Sequence, residues 1–198
     1  MTQRKVLFWI AVLYFAEGLP FGIAYDVWPV FFRVHGVSLR EIGLMSLLSL
    51  PWTWKLLWAP LIDRYGARQH WMTACLFVLG ATTLAILPQD ASDPTLLMWG
   101  LLLLFTTASA TQDVAIDAYA VDVATPSTVG SINGVRVSAA RVAMMAGGGG
   151  VVVLADYTGW SILWVALAVV FFALAGAAWL SPRVPLESSE RRHALTPV

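Results

Sequence analysis

Six stretches of this chain meet or approach the roughly 20 mostly apolar residues that a helix needs to cross hydrocarbon. They cover about residues 6–32, 40–62, 70–88, 94–119, 131–155 and 157–180. Hydrocarbon offers no water to unpaired backbone groups, so runs this long must be helical. Barrel strands are shorter and alternate in polarity. The expected fold is therefore an all-α membrane protein, a six-helix transmembrane bundle over residues 1–181. Residues 182–198 are polar and punctuated by proline, and read as a cytoplasmic tail or an interdomain linker.

Composition agrees. Only 12% of the 198 residues are charged, against about a quarter in soluble domains. Several of the ten tryptophans stand at the ends of apolar runs, where amphipathic rings favour the headgroup zone. Twelve basic and twelve acidic side chains balance, so nothing points to nucleic acid. The one cysteine, Cys75, lies in an apolar run without a ligand cluster and reads as packing. Arg4, Lys5 and the apolar residues 6–16 imitate a signal peptide. The apolar character resumes after Glu17, however, and no small-residue cleavage site is evident, so this is read as a retained first span.

Two span boundaries carry local signals. Ser38 followed by Glu41 predicts a capping box at the start of the second span. Pro94 is expected to open the fourth, where its missing N–H costs little. Basic residues set the orientation. With the N-terminus inside, Arg4, Lys5, Arg64, Arg68, Arg136, Arg183, Arg191 and Arg192 fall on the cytoplasmic side, against Arg33 and Arg40 outside. Both termini are therefore expected in the cytoplasm.

Charges within spans are costly, and each is a functional hypothesis. Glu17 lies roughly 18 Å into the first span, near the midplane, at a rise of ~1.5 Å per residue. Gly18 and Pro20 follow it, and proline removes a ladder hydrogen bond, so the helix is expected to bend or loosen there. A midplane carboxylate beside a broken helix is where transporters place substrate and ion sites; the alternative is a buried glutamate held for packing alone. Lys55, Asp113, Asp117 and Arg141 fall at comparable depth in the cytoplasmic half, and the two aspartates, spaced i, i+4, share one helical face. Two acids and two bases can neutralise one another, either as a gate whose pairing changes between states or as a static network that fixes register. Gly147, Gly148, Gly149 and Gly150 inside the fifth span allow close helix approach or local flexing. His35, His70 and His193 have no metal-ligand spacing, and no nucleophile motif is present, so neither a cofactor nor an enzyme is expected.

The second span ends in Ala59-Pro-Leu-Ile-Asp63-Arg64-Tyr-Gly66-Ala-Arg68. This resembles the loop motif between spans two and three of the major facilitator superfamily, Gly-x-x-x-Asp-Arg-x-Gly-Arg-Arg, with Ala59 and Ala67 as departures. The resemblance implies that Asp63 helps to lock a cytoplasmic gate, supported by Arg64, Gly66 and Arg68. Three further segments occur in matching order: Tyr14-Phe-Ala-Glu17-Gly-Leu-Pro20-Phe-Gly22, Leu50-Pro51-Trp-x-x-Lys55-x-x-Trp58-Ala-Pro60, and Thr111-Gln112-Asp113-Val-Ala-Ile-Asp117-Ala-Tyr119. Together they are similar to the AmpG-like muropeptide permeases and the related acetyl-CoA transporters. Siderophore importers share the first segment in similar form.

That resemblance implies twelve spans in two bundles, so this chain corresponds to the N-terminal half. A second six-span half is then required, either from the same gene product or from a partner chain. The implied function is proton-driven transport of a polar solute, such as an anhydro-muropeptide, across the cytoplasmic membrane. Glu17, Asp113 and Asp117 are the expected coupling residues. The alternatives are siderophore or acyl-CoA cargo and, from another class, a non-transporting scaffold or receptor. If the orientation is right, single cysteines at Thr2 and at Ser188 should react with an impermeant thiol reagent only after permeabilisation. One at Ser92 should react in intact cells, and the reverse pattern would overturn the orientation.

Overall fold

The computed structural model describes residues 2–65 and 67–182; Gly66 of the loop motif and residues 183–198 of the polar segment lie outside the described residues. The described residues form helices and connections, without a strand. Helix α1 (Gln3–Gly22) runs through a π turn at Ile23–Val27 into α2 (Trp28–Val34), giving one rod of 32 residues. Pro20 sits inside α1 and deprives the Ala16 carbonyl of its usual donor. The helix is not broken there; the wider π spacing begins three residues later. Gly36, with φ of 89°, turns the chain after α2.

The second rod is a chain of short pieces: α3 (Leu39–Leu44), a 3-10 turn at Met45–Ser49, α4 (Leu50–Trp54), another 3-10 turn at Lys55–Leu57, and α5 (Ala59–Arg64). Its prolines account for the breaks. Pro51 and Pro60 remove the donors for the carbonyls of Leu47 and Leu56, and both of those carbonyls lie in the tightened turns. The expected capping box is formed: the Glu41 N–H donates to Ser38 Oγ at 3.3 Å while the Ser38 N–H donates to the Glu41 carboxylate at 3.2 Å.

Four rods follow: α6 (Arg68–Ile86), α7 (Leu96–Val123), α8 (Val129–Met145) continued by a π turn at Ala146–Gly150 into α9 (Val151–Thr158), and α10 (Trp160–Leu180). The start of α7 corrects the sequence expectation by one step. Thr95 is the N-cap, its hydroxyl accepting from the Met98 N–H at 3.3 Å, and Pro94 precedes it. Gly159, with φ of 79°, makes the sharp corner between α9 and α10.

Among the described residues, four rods are long and apolar enough to cross a membrane: Gln3–Val34, Arg68–Ile86, Val129–Thr158 and Trp160–Leu180. The other two expected spans fall short of that measure for local reasons. One is interrupted at its prolines, and α7 carries Gln112, Asp113, Asp117 and Asp122 along its second half.

The α1 rod packs most extensively on α8, and α6 packs on both α7 and α10. Trp28, Phe32, Phe105 and Phe171 are among the largest wholly buried side chains between the rods. Small residues make the α1–α8 seam close. A Cβ at Gly18 would stand 2.9 Å from the Ala143 Cβ, and one at Gly147 would stand 2.7 Å from the Leu19 carbonyl oxygen. The outer surface stays apolar, with Leu57 78% and Met145 74% exposed, as a rod facing lipid or another bundle requires.

Gly18→Val should therefore cost about 1–3 kcal/mol of stability through overpacking. Gly149→Ala, with nothing within 4 Å of the added Cβ, should cost well under 1 kcal/mol. Thermal unfolding in detergent would check this, and equal losses in both variants would refute the close-packed seam.

Candidate functional site

The polar groups inside the bundle converge where α1, the second rod, α7 and α8 meet. Glu17 comes from α1, and Asp113 and Asp117 come from one face of α7. Oxygens of all three carboxylates lie within 4.8 Å of one another. Lys55, at the first residue of the second 3-10 turn, donates directly to Asp113. That turn is held against α7 by Trp58, whose indole N–H donates to the Thr111 hydroxyl at 3.1 Å. The tightened backbone between Pro51 and Pro60 thus aims the lysine.

Asp117 has a double partner. Its Oδ1 accepts from the Tyr14 hydroxyl at 2.7 Å and from the Arg136 guanidinium at 2.8 Å. That guanidinium lies 4.9 Å from the centroid of the Tyr14 ring, within cation–π range. Glu17 is different. Its Oε2 is buried and has no hydrogen-bond partner among the described residues. The cluster holds three acids and two bases, which leaves one negative charge unanswered when all are ionised.

Arg141 takes no part: its side chain is exposed, and no ion pair joins it to these acids among the described residues. The reason is helical geometry. Five residues separate Arg136 from Arg141, which places them about 140° apart around the helix. The face toward α1 carries Arg136, which lies over the Tyr14 ring, and Ala140, Ala143 and Gly147, which meet Gly18 and Leu19. The three small residues follow Arg136 at i+4, i+7 and i+11; that stripe was visible in the sequence and pointed to Arg136, which depth alone did not.

A second set of charges sits just beyond the cluster, at the C-terminal end of α7. The Arg68 guanidinium lies 2.8 Å from Asp63 and 3.6 Å from Asp122, and it also donates to the Ile62 carbonyl at 2.9 Å. Asp122, only 7% exposed, was not singled out from the sequence; its signal was its place near the end of a span beside a basic loop motif. Arg64 instead lies over the Tyr65 ring, 5.8 Å from its centroid. Of the four glycines, Gly147 packs on Leu19 and Gly148 lies against the Asp26 carboxylate, whereas Gly149 and Gly150 make no close approach. The two π turns, Ile23–Val27 and Ala146–Gly150, pack against each other. Pro20 is buried in α1 three residues before the first of them.

Several known proteins are similar in sequence to this chain. The chain is 30% identical over 182 residues to the anhydromuropeptide permease of Escherichia coli K12, covering 87% of this chain and 36% of that protein. It is 25% identical over 175 residues to the putative transporter AmpG 4 of Rickettsia conorii, covering 83% and 42%. It is also 32% identical over 173 residues to an uncharacterised protein of Haemophilus influenzae, covering 84% and 40%. The chain thus spans between about a third and two fifths of the length of these relatives. Residues 7–197 match the profile of the Major Facilitator Superfamily, and the chain belongs to that family.

Proposed function

We propose that this chain is the N-terminal six-span half of a proton-driven transporter in the cytoplasmic membrane, with both termini in the cytoplasm. Its cargo is a polar solute of the anhydro-muropeptide kind. The observation that carries the reading is the charge count of the half-buried cluster. Lys55 answers Asp113, and Arg136 with Tyr14 answers Asp117, so the remaining charge falls on Glu17, whose Oε2 is unpartnered. The one surplus negative charge makes Glu17 the group through which the cluster exchanges a proton. Glu17 then takes up a proton when water reaches the cluster and releases it when a base or a solute's positive group approaches.

The two bases of the cluster are only partly buried: Lys55 and Arg136 are 26% and 41% exposed. A second six-span half would cover them and complete a central site between the bundles. Arg68, shared between Asp63 and Asp122, ties the loop after the second rod to the end of α7 and serves as the cytoplasmic latch. A cluster with excess negative charge suits a zwitterionic or modestly charged solute better than a polyphosphate such as an acyl-coenzyme A. The names of the relatives point the same way, to a permease rather than an enzyme.

Vesicles containing the protein with its second half should take up labelled anhydro-muropeptide when a proton gradient is imposed. Glu17→Gln should abolish gradient-driven uptake while leaving the amount of folded protein within about twofold. Loss of uptake only in proportion to loss of protein would instead favour a scaffold or receptor. Removing one member of the Lys55–Asp113 pair should destabilise by about 3–5 kcal/mol, because the other charge is stranded. The double variant Lys55→Met, Asp113→Leu should restore most of that stability without restoring uptake. A double variant as unstable as the singles would show that the pair is not the unit of compensation.

A further inference from the structure

Two turns along the first rod from Glu17, away from the N-terminus, aromatic rings gather between the first and second rods. Phe21 and Tyr25 stack with centroids 4.4 Å apart; Trp52 stands edge-on to Phe21 at 5.1 Å and lies 5.8 Å from Tyr25. A cavity of about 220 Å³ opens beside them. Its walls include Tyr25, Trp28 and Trp52, with Ser46 and Ser49 from the first 3-10 turn, and no charged side chain lines it. Trp28 is 1% exposed, and its indole Nε1 has no hydrogen-bond partner among the described residues.

We propose that this cavity is the subsite for a sugar ring of the transported solute, an inference that rests on the transporter reading above. The face of an aromatic ring is electron-rich and favours the positive C–H edges of a pyranose laid against it. The hydroxyls around the rim of such a sugar suit Ser46 and Ser49. Apolar walls with a few placed polar groups are the usual make-up of a small-molecule site. The volume is below the roughly 300–1,000 Å³ of a whole ligand pocket, so it houses one ring and not the entire solute.

The subsite lies on the same two rods as the charge cluster. Glu17, Phe21 and Tyr25 follow one another at four-residue spacing, and Trp52 precedes Lys55 by one turn. Along the first rod Tyr25 lies about 12 Å from Glu17. These rods therefore carry an uncharged, ring-lined stretch and a charged stretch about two turns apart, a spacing that suits a solute with a sugar at one end and ionised groups at the other. An acyl chain would offer the serine hydroxyls nothing to bond. A nucleotide base would stack, but would bring phosphates toward a cluster already in excess of negative charge.

The test is equilibrium binding of a radiolabelled, peptide-free N-acetylglucosaminyl-anhydromuramic disaccharide to the purified full chain with its second half, alongside uptake of the intact muropeptide. Saturable sugar binding is expected, weakened about tenfold by Trp52→Ala and by Tyr25→Ala and restored to within about threefold by Trp52→Phe. Should the alanine variants fail to fold, Ser46→Ala with Ser49→Ala must weaken the same binding from the polar side of the cavity. No sugar binding to the wild type, equal binding to all variants, or competition by adenosine but not by the sugar overturns the subsite. Sugar binding without muropeptide uptake would keep the subsite and sink the transporter reading. Uptake without sugar binding would do the reverse.

Discussion

Five ionisable groups set among apolar helices fix the terms for the rest of this bundle. A lone charge in hydrocarbon costs several kilocalories per mole, so each must be placed within reach of an opposite one. Lys55 on the second rod, Glu17 on the first, Asp113 and Asp117 on α7 and Arg136 on α8 come from four separate rods. Their rotation and depth are therefore mutually constrained. A helix turned by one residue would swing its charge by about 100° and strand the partners. The compensation is also incomplete by one charge, and this imbalance gives the cluster something to exchange with its surroundings.

The close seam between α1 and α8 makes that arrangement geometrically possible. Arg136 reaches Asp117, and lies over the Tyr14 ring, because Ala140, Ala143 and Gly147 above it let the two helices approach. Where the seam continues, both helices widen into π turns, and Gly148 makes room for the Asp26 carboxylate. A π turn shifts side-chain register by one position, so beyond these turns each rod presents a different face from the one an ideal helix would show. Tyr25, lying within the first turn, still stacks on Phe21.

Much of this was legible in the sequence. Length and apolarity gave the helices, and the capping box at Ser38 and Glu41 fixed one boundary. Charges within apolar runs located Glu17 and the acids of α7, and family resemblance located the basic loop. The arginine of the cluster was harder to read. Depth along a span is visible in one dimension, whereas pairing depends on the face, and Arg141 and Arg136 differ chiefly in face. Asp122 was obscured for a related reason. Near a helix end it resembles an ordinary interfacial acid until folding brings Arg68 beside it. The aromatic cavity has no motif at all, since Tyr25, Trp28, Ser46 and Trp52 come from two rods whose separation no spacing rule supplies.

The broken second rod links the two ends of the site. An unbroken α-helix would hold Trp52 and Lys55 on one rigid face, but Pro51 and Pro60 leave each on a short piece bounded by a tightened turn. Such pieces pivot at lower cost than a continuous helix, because fewer ladder bonds resist. Trp58 pins the second tightened turn to α7 through Thr111, and α4 itself packs on α7 while its Trp52 meets the rings of Phe21 and Tyr25. A ligand seated among those rings, as proposed, would bear on α4, one turn from the lysine that neutralises Asp113. The ring-lined cavity and the charge balance around Glu17 thus share one segment, only five residues long.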